Sequence, residues 1–256
     1  MKKISLVGCG TIGREIANAI YRKIIPAKLV AIYDINPESC RRLKKKLNDI
    51  SNGVKLPAVC RTLRDAIRPS DIVVECAGQK AVREIAAVAF PMKKDLFVMS
   101  VGALIRWNDI IKRAKKNGCR VYFPSGAIAG LDAVAAASLG KVDSVRLITR
   151  KPPKSLGLDI SREKTVFRGR ARDAVRNFPA NINVAAALSI AGIGQEKTQV
   201  EIIADPKVQT NTHRVEITGD FGRITTCTEN IPSPTNPKTS YLAILSAIAE
   251  LRKIVE

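Results

Sequence analysis

Aromatic and histidine side chains are scarce in this chain: its 256 residues include one histidine and one tryptophan, and Phe, Trp and Tyr together make up 4%. So few aromatics leave little for stacking on bases, which weakens a nucleic-acid reading of the net charge of +20. The basic residues are also dispersed along helical stretches, Arg41 to Lys46, Lys112 to Lys116 and Arg168 to Arg176, instead of forming a phosphate-tracking cluster. Solvated surface and anionic small molecules account for the charge better, and no nucleic-acid partner is expected. A single histidine cannot complete the usual zinc sets, and the cysteines at 9, 40, 60, 76, 119 and 227 never form a Cys-x-x-Cys pair. No metal site is expected, and the cysteines read as buried free thiols. No stretch approaches the roughly 20 uninterrupted apolar residues of a transmembrane helix. Met1-Lys2-Lys3 leads directly into an apolar strand instead of a cleavable signal region. A cytoplasmic chain with no membrane partner is the expectation.

What is present begins with Gly8-Cys9-Gly10-Thr11-Ile12-Gly13, a GxGxxG turn between the apolar run Ile4 to Val7 and an amphipathic stretch from Ile12 to Arg22. Such a turn uses its first glycine for tightness, its second to let backbone N–H groups approach a pyrophosphate, and its third for close helix–strand packing. The helix N-terminus then faces the phosphates. Three glycines alone mark only a turn. Here, however, Lys28 to Tyr33 reads as a second strand ending at Asp34, about 20 residues beyond the last glycine, where a carboxylate accepts from a ribose 2′-hydroxyl. The same carboxylate repels a 2′-phosphate, so NAD is the expected cofactor. Arg41 and Arg42, early in the next helix, leave NADP open, although that basic run also suits a solvated helix face.

Short β-branched runs continue to alternate with helical patterns through the first half of the chain. Leu56 to Cys60, Asp71 to Ala77, Leu96 to Val101 and Cys119 to Phe123 read as strands, with helices at Leu63 to Ile67, Ala81 to Phe90 and Trp107 to Lys116. Asn36-Pro37-Glu38 is a helix start, and Gly118 suits a helix stop. Six strands with helical crossovers predict an α/β fold built on a doubly wound parallel sheet. The character changes at Ser125-Gly126-Ala127-Ile128-Ala129-Gly130, a small-residue loop leading into a helix at Leu131 to Ser138. Strands are predicted beyond it at Ser144 to Thr149, Thr198 to Ala204, His213 to Gly219 and Arg223 to Thr228, the last two joined by a hairpin loop at Gly219 to Gly222. Ile231 to Pro237 reads as a rigid linker, and Lys238 to Ile254 as a terminal helix whose apolar face must return to the first domain. The division expected is residues 1–124 with 233–256 as a dinucleotide-binding domain, and 125–232 as a second, α/β substrate domain.

His213 is the candidate acid–base group. Alternation in Thr212 to Ile217 puts it on the same inward face as Val215 and Ile217. A satisfied core histidine is the plain alternative; against it, this is the only histidine and so the only side chain of its kind ordinarily titrating near neutrality. Arg150, Lys151 and Lys238 are candidate cationic donors to an anionic ligand, each equally readable as a surface charge, with Thr239 and Ser240 as hydroxyl donors or caps of the last helix. Asn181-Ile182-Asn183 reads as an N-terminal cap of the apolar helix that follows, a role that fits Asn181 better and leaves Asn183 available to a ligand.

The chain resembles the archaeal and bacterial L-aspartate dehydrogenase family over nearly its whole length. The generic match is Gly8 to Gly13. The distinctive ones are Val74 to Ala77 with Gln79 and Ala81-Val82, Ser125 to Ile128 with Gly130 to Ala133, and Thr149-Arg150-Lys151. Further along they are Phe178-Pro179, Asn181, Asn183 to Ala186, Leu188 to Ala191, His213 and Asn236 to Ala243. The resemblance implies a Rossmann domain and a substrate domain, with NAD- or NADP-dependent oxidation of L-aspartate to iminoaspartate. That product hydrolyses to oxaloacetate and ammonia or feeds NAD biosynthesis. It also implies His213 as the active-site residue and Ala127 and Asn183 at the nicotinamide end, with Gly8, Gly10, Thr11, Ile12, Gly13, Asp34 and Ala77 completing the cofactor set. A homodimer or higher homo-oligomer is expected. Two other classes stay open: a related two-domain enzyme of homoserine or dihydrodipicolinate chemistry, and a non-catalytic NAD-sensing protein.

Overall fold

In a computed structural model of the chain, residues 1–178 and 182–256 are described, together with all of their side chains except those of Pro237 and Lys238. The expected cap at Asn181 therefore lies outside the described residues. The chain folds as two units, one of Met1–Pro124 with Ala247–Glu256 and another of Ser125–Ser246.

The first unit is built on six parallel strands, β1 (Lys3–Val7), β2 (Lys28–Tyr33), β3 (Ala58–Val59), β4 (Ile72–Glu75), β5 (Asp95–Val98) and β6 (Val121–Tyr122), in the order β3-β2-β1-β4-β5-β6. The order reverses at β1/β4, the switch point where doubly wound sheets open a crevice for ligands at their carboxyl ends. Helices α1 (Thr11–Tyr21), α2 (Pro37–Asp49), α3 (Leu63–Ile67), α4 (Gln79–Ala89), α5 (Gly102–Arg106) and α6 (Asp109–Lys116) make the crossovers. Ile16, Ala17 and Ile20 on α1, and Cys40, Leu43 and Leu47 on α2, recur at helical spacing and are buried against the sheet. Asn36 caps α2 by accepting from the Glu38 N–H (3.1 Å), with Pro37 at the first position. The run expected as strand to Val101 stops at Val98, and a short helix, α5, follows it.

The second unit carries α7 (Leu131–Ala137), β7 (Val142–Lys151), β8 (Lys164–Arg170), α8 (Ala171–Asn177), α9 (Asn183–Ala191), β9 (Gln199–Ala204), β10 (Asn211–Gly219) and β11 (Gly222–Asn230). Its five strands run in the order β11-β10-β7-β9-β8, parallel only between β7 and β9. β8 is hidden in the sequence because basic residues interrupt it; Arg168 there reaches across to Glu201 (2.6 Å) on β9. The stretch expected as a rigid linker forms a two-stranded ribbon, β12 (Pro232–Ser233) with β13 (Asn236–Ser240). Helix α10 (Tyr241–Val255) starts after it and is divided between the units at Ser246/Ala247, so 233–246 group with the second unit instead of the first. Ala247 and Leu251 of α10 are fully buried in the hydrophobic cluster of the first unit, which also contains Ile16, Ile20, Leu43 and Leu47.

Candidate active site

In the first unit the glycine turn is shaped by close approaches. Gly8 has φ +98°, and a Cβ there would lie 2.4 Å from the Cys76 carbonyl carbon; one on Gly13 would lie 2.1 Å from the Gly8 carbonyl oxygen. Gly10 is different, because a Cβ there would meet nothing within 4 Å. Its missing side chain therefore leaves open space above the backbone at the start of α1. That helix has no side-chain cap and no acidic residue in its first turn, so its leading N–H groups suit an anion.

Asp34 binds this turn directly. Its Oδ2 accepts from the Cys9 N–H (2.8 Å) and its Oδ1 from the Asn36 N–H (2.8 Å), each oxygen keeping a further lone pair. Gly8, Gly10, Asp34, Cys76 and Ala77 help to line a cavity of about 240 Å³ at the carboxyl ends of β1, β2 and β4. The open backbone at Gly10 and the acid at the end of β2 fit the phosphate and ribose of a dinucleotide. Arg41, which bears on the choice of nucleotide, pairs with Glu38 (2.8 Å) on an exposed helix face, and Arg42 donates to Ser39 (3.3 Å).

A brace beside the cavity is not foreseen from the sequence. Glu75 is fully buried at the end of β4, where one carboxylate oxygen accepts from the N–H groups of Ala77 and Gly78 (2.8 Å each) and from Ser100 Oγ (2.9 Å). The other accepts from the Ser100 N–H (3.0 Å). Burial raises its pKa, against the opposing pull of these donors. An acid closing the apolar run Ile72-Val73-Val74 is the available signal.

The second unit brings together residues far apart in sequence. In the ladders, His213 on β10 lies opposite Thr149 on β7 and Thr228 on β11. Thr149 and Lys151 alternate onto the buried face of β7 that His213 shares. Thr149 Oγ1 and His213 Nδ1 are 2.9 Å apart, and the two residues are each 4% exposed. A hydroxyl both donates and accepts, so Thr149 serves either protonation state of Nδ1 while fixing the plane of the ring. Burial first, and the Lys151 ammonium second, push the His213 pKa from 6.5 down to about 3. Burial lowers that of Lys151 from 10.5 to about 8. At neutral pH the site thus holds a neutral imidazole beside a buried cation.

The small-residue loop joins this group. The Ala127 carbonyl accepts from Thr228 Oγ1 (2.8 Å), and a Cβ on Gly126 would lie 3.6 Å from Val184 Cγ1 at the start of α9. Asn183 is the first residue of α9, with an exposed side chain. Arg150 does not join the group. Alternation sends it to the opposite face of the sheet, where it pairs with Glu163 (2.5 Å) and Asp205 (2.9 Å). Thr239 lies half-buried on β13, and the Lys238 side chain is outside the described residues. Thr149 lies in a segment the sequence marks as distinctive but is given no role there; its spacing of two from Lys151 already sets the pair on one strand face.

The family model described as "Homoserine dehydrogenase, NAD binding domain" matches residues 8–124, and the one described as "Aspartate dehydrogenase, C-terminal" matches residues 132–254. The chain is similar in structure to the aspartate dehydrogenase of Thermotoga maritima, with a TM-score of 0.79 and 29% identity, covering 100% of this chain and 97% of that one. A homoserine dehydrogenase from Thiobacillus denitrificans shares the fold at a TM-score of 0.58 and 14% identity, covering 98% of this chain and 73% of that one. The L-aspartate dehydrogenase of Nitrosopumilus maritimus is 43% identical over 99% of this chain and 96% of its own length. That of Methanosarcina barkeri is 44% identical over 100% of this chain and 97% of its own, and at such likeness the chain belongs to the L-aspartate dehydrogenase family.

Proposed function

We propose that this chain oxidises L-aspartate at its CH–NH2 group to iminoaspartate, with NAD as the preferred cofactor. The observation that carries the reading is the buried His213, braced by Thr149 and accompanied by Lys151, in a chain whose second half matches the aspartate dehydrogenase model. The turn Gly8 to Gly13, with Thr11 and Ile12 opening α1, holds the pyrophosphate end, Asp34 the ribose, and Ala77 lines the same cavity. Ala127 and Asn183 serve the nicotinamide end. A nicotinamide held there would supply the hydride acceptor for the substrate α-carbon.

Everything else falls to the protein. Lys151, charged at neutral pH, anchors a substrate carboxylate through a charge-assisted bond that water cannot dilute. Neutral His213 accepts the proton that the substrate ammonium must lose, or takes one from the water that attacks the imine. A dicarboxylate beside both groups raises their pKa values, moving His213 from its depressed value toward the range where acid–base work is efficient. Because Arg150 is committed to Glu163 and Asp205, the second carboxylate is left to Lys238 and Thr239. Asp34 disfavours a 2′-phosphate, and Arg41 and Arg42 are engaged along their own helix, which supports NAD over NADP.

The test is to mix the protein with NAD or NADP and a panel of amino acids, following the appearance of reduced nicotinamide. Turnover with L-aspartate, faster with NAD, is expected. Turnover with homoserine instead would transfer the reading to the related class, and no turnover with cofactor bound would favour a sensing protein.

A further inference from the structure

Three residues of β11 grip the loop that contains Ala127. Alternation puts Thr226, Thr228 and Asn230 on one face of the strand. Thr226 Oγ1 donates to the Ala129 carbonyl (3.1 Å), while Thr228 Oγ1 (2.8 Å) and Asn230 Nδ2 (3.1 Å) donate to the carbonyl of Ala127. Gly130 closes the loop under this grip, since a Cβ there would approach Thr226 Cγ2 to 3.0 Å. A carbonyl oxygen has two lone pairs, so that of Ala127 is filled by the chain itself. Any contact Ala127 makes with a ligand comes from its N–H or its methyl group.

The arrangement is retained at a cost. Asn230 is 3% exposed, and among the described residues its buried Oδ1 has no hydrogen-bond partner. Turning the amide over would set Oδ1 against the carbonyl oxygens of Ala127 and Thr228, acceptor facing acceptor, and it would gain a donor only by drawing the Thr228 hydroxyl (3.2 Å) away from Ala127. The amide orientation is therefore dictated by Ala127. Thr228 is also the ladder partner of His213, and its Oγ1 lies 3.4 Å from the His213 carbonyl. One side chain thus touches both the loop and the strand position of the acid–base group.

We propose that Thr228 and Asn230 are positioning residues that hold the Ala127 loop in register with His213 by filling the Ala127 carbonyl. The proposal rests on the reading of Ala127 as part of the nicotinamide end. It explains why polar side chains occupy this face of β11, and it makes their effect specific to the reacting half of the cofactor.

The experiment uses the full chain. Thr228→Val keeps the shape and removes the donor, Thr228→Ser keeps the donor, and Asn230→Ala removes the second bond. Affinities for NADH and for ADP-ribose, which lacks the nicotinamide, are measured by calorimetry, alongside kcat and KM with L-aspartate. Loss of one buried hydrogen bond corresponds to about a tenfold effect. Thr228→Val should weaken NADH about tenfold, leave ADP-ribose unchanged and lower kcat at least as much, and Thr228→Ser should recover both within about twofold. Asn230→Ala should shift the NADH to ADP-ribose ratio in the same direction, and it decides alone if Thr228→Val does not fold. An unchanged ratio, or Thr228→Ser as impaired as Thr228→Val, overturns the proposal. The ratio needs no substrate, so it tests the clamp even if aspartate proves not to be the substrate. An unchanged ratio in an enzyme that oxidises aspartate defeats the clamp alone.

Discussion

The two units present polar groups to a ligand by opposite means. The first does so by omission: Gly10 leaves backbone uncovered at the start of α1, and Gly8 and Gly13 allow approaches that a single Cβ would block at 2.4 and 2.1 Å. Its donors are backbone N–H groups, fixed in direction by the helix they open. The second does so by burying side chains. His213, Thr149 and Lys151 are each 5% exposed or less, and the cost appears as pKa values driven to about 3 for His213 and about 8 for Lys151. Backbone donors fit any pyrophosphate, so the first arrangement is generic. A perturbed imidazole beside a buried cation suits far fewer ligands, so on the proposed function the selection of substrate falls to the second unit.

The sharpest break between the units should come from His213→Ala. It is expected to lower aspartate turnover by roughly 10²- to 10⁴-fold while NADH affinity changes little; an intact rate in steady-state kinetics would remove His213 from the chemistry. The converse variant, Gly13→Ala, forces a methyl group into the Gly8 carbonyl. Here NADH affinity should fall about a hundredfold, with stability reduced by about 2–3 kcal/mol, and Gly10→Ala should disturb the fold far less because that Cβ meets nothing. Calorimetric titration and denaturant unfolding separate the two effects, and equal destabilisation by both variants would contradict the geometry.

Asp34→Ser keeps a small acceptor near the turn while removing the negative charge. Its expected result is a shift of about tenfold in kcat/KM from NAD toward NADP, and an unchanged ratio would mean that Asp34 serves only its bonds to Cys9 and Asn36.

The smallest effect concerns pH. Lys151 titrates near 8 when folded and near 10.5 when unfolded, so between those values the unfolded chain binds more protons and stability rises with pH. The gain, about 1–3 kcal/mol when discounted for relaxation around the buried site, is absent below pH 8 and complete above 10.5. Denaturant unfolding of the wild type and Lys151→Met across pH 7 to 10.5 reads it as a difference in slope. Parallel curves would show that Lys151 is not held at a lowered pKa.

Much of the first unit is legible in the sequence because its signals are local. The glycine spacing, the apolar strands and the Asn36-Pro37 helix start each act within a few residues, and the sheet order follows from the alternation of strand and helix. The role of Glu75 is not legible, since its four donors come from the ends of two strands. In the second unit the strand holding Lys164 to Arg170 is obscured by its basic residues, of which Arg168 finds Glu201 on β9 and Arg170 finds Glu196 only after folding. The prolines of the Ile231 to Pro237 segment suggest a linker, yet Pro232 and Asn236 enter a ribbon.

By itself the sequence determined the glycine turn, the acid at the end of β2, and the inward face of His213, because each depends on spacing along one chain segment. Only the tertiary structure decided what surrounds that histidine. Thr149 lies 64 positions away from it and the Ala127 carbonyl 101 positions from Thr228, and both pairs meet only once the ladders β7–β10–β11 have set their register. The same register turned Arg150 away and left Lys151 inside, since neighbouring residues on a strand must face opposite sides.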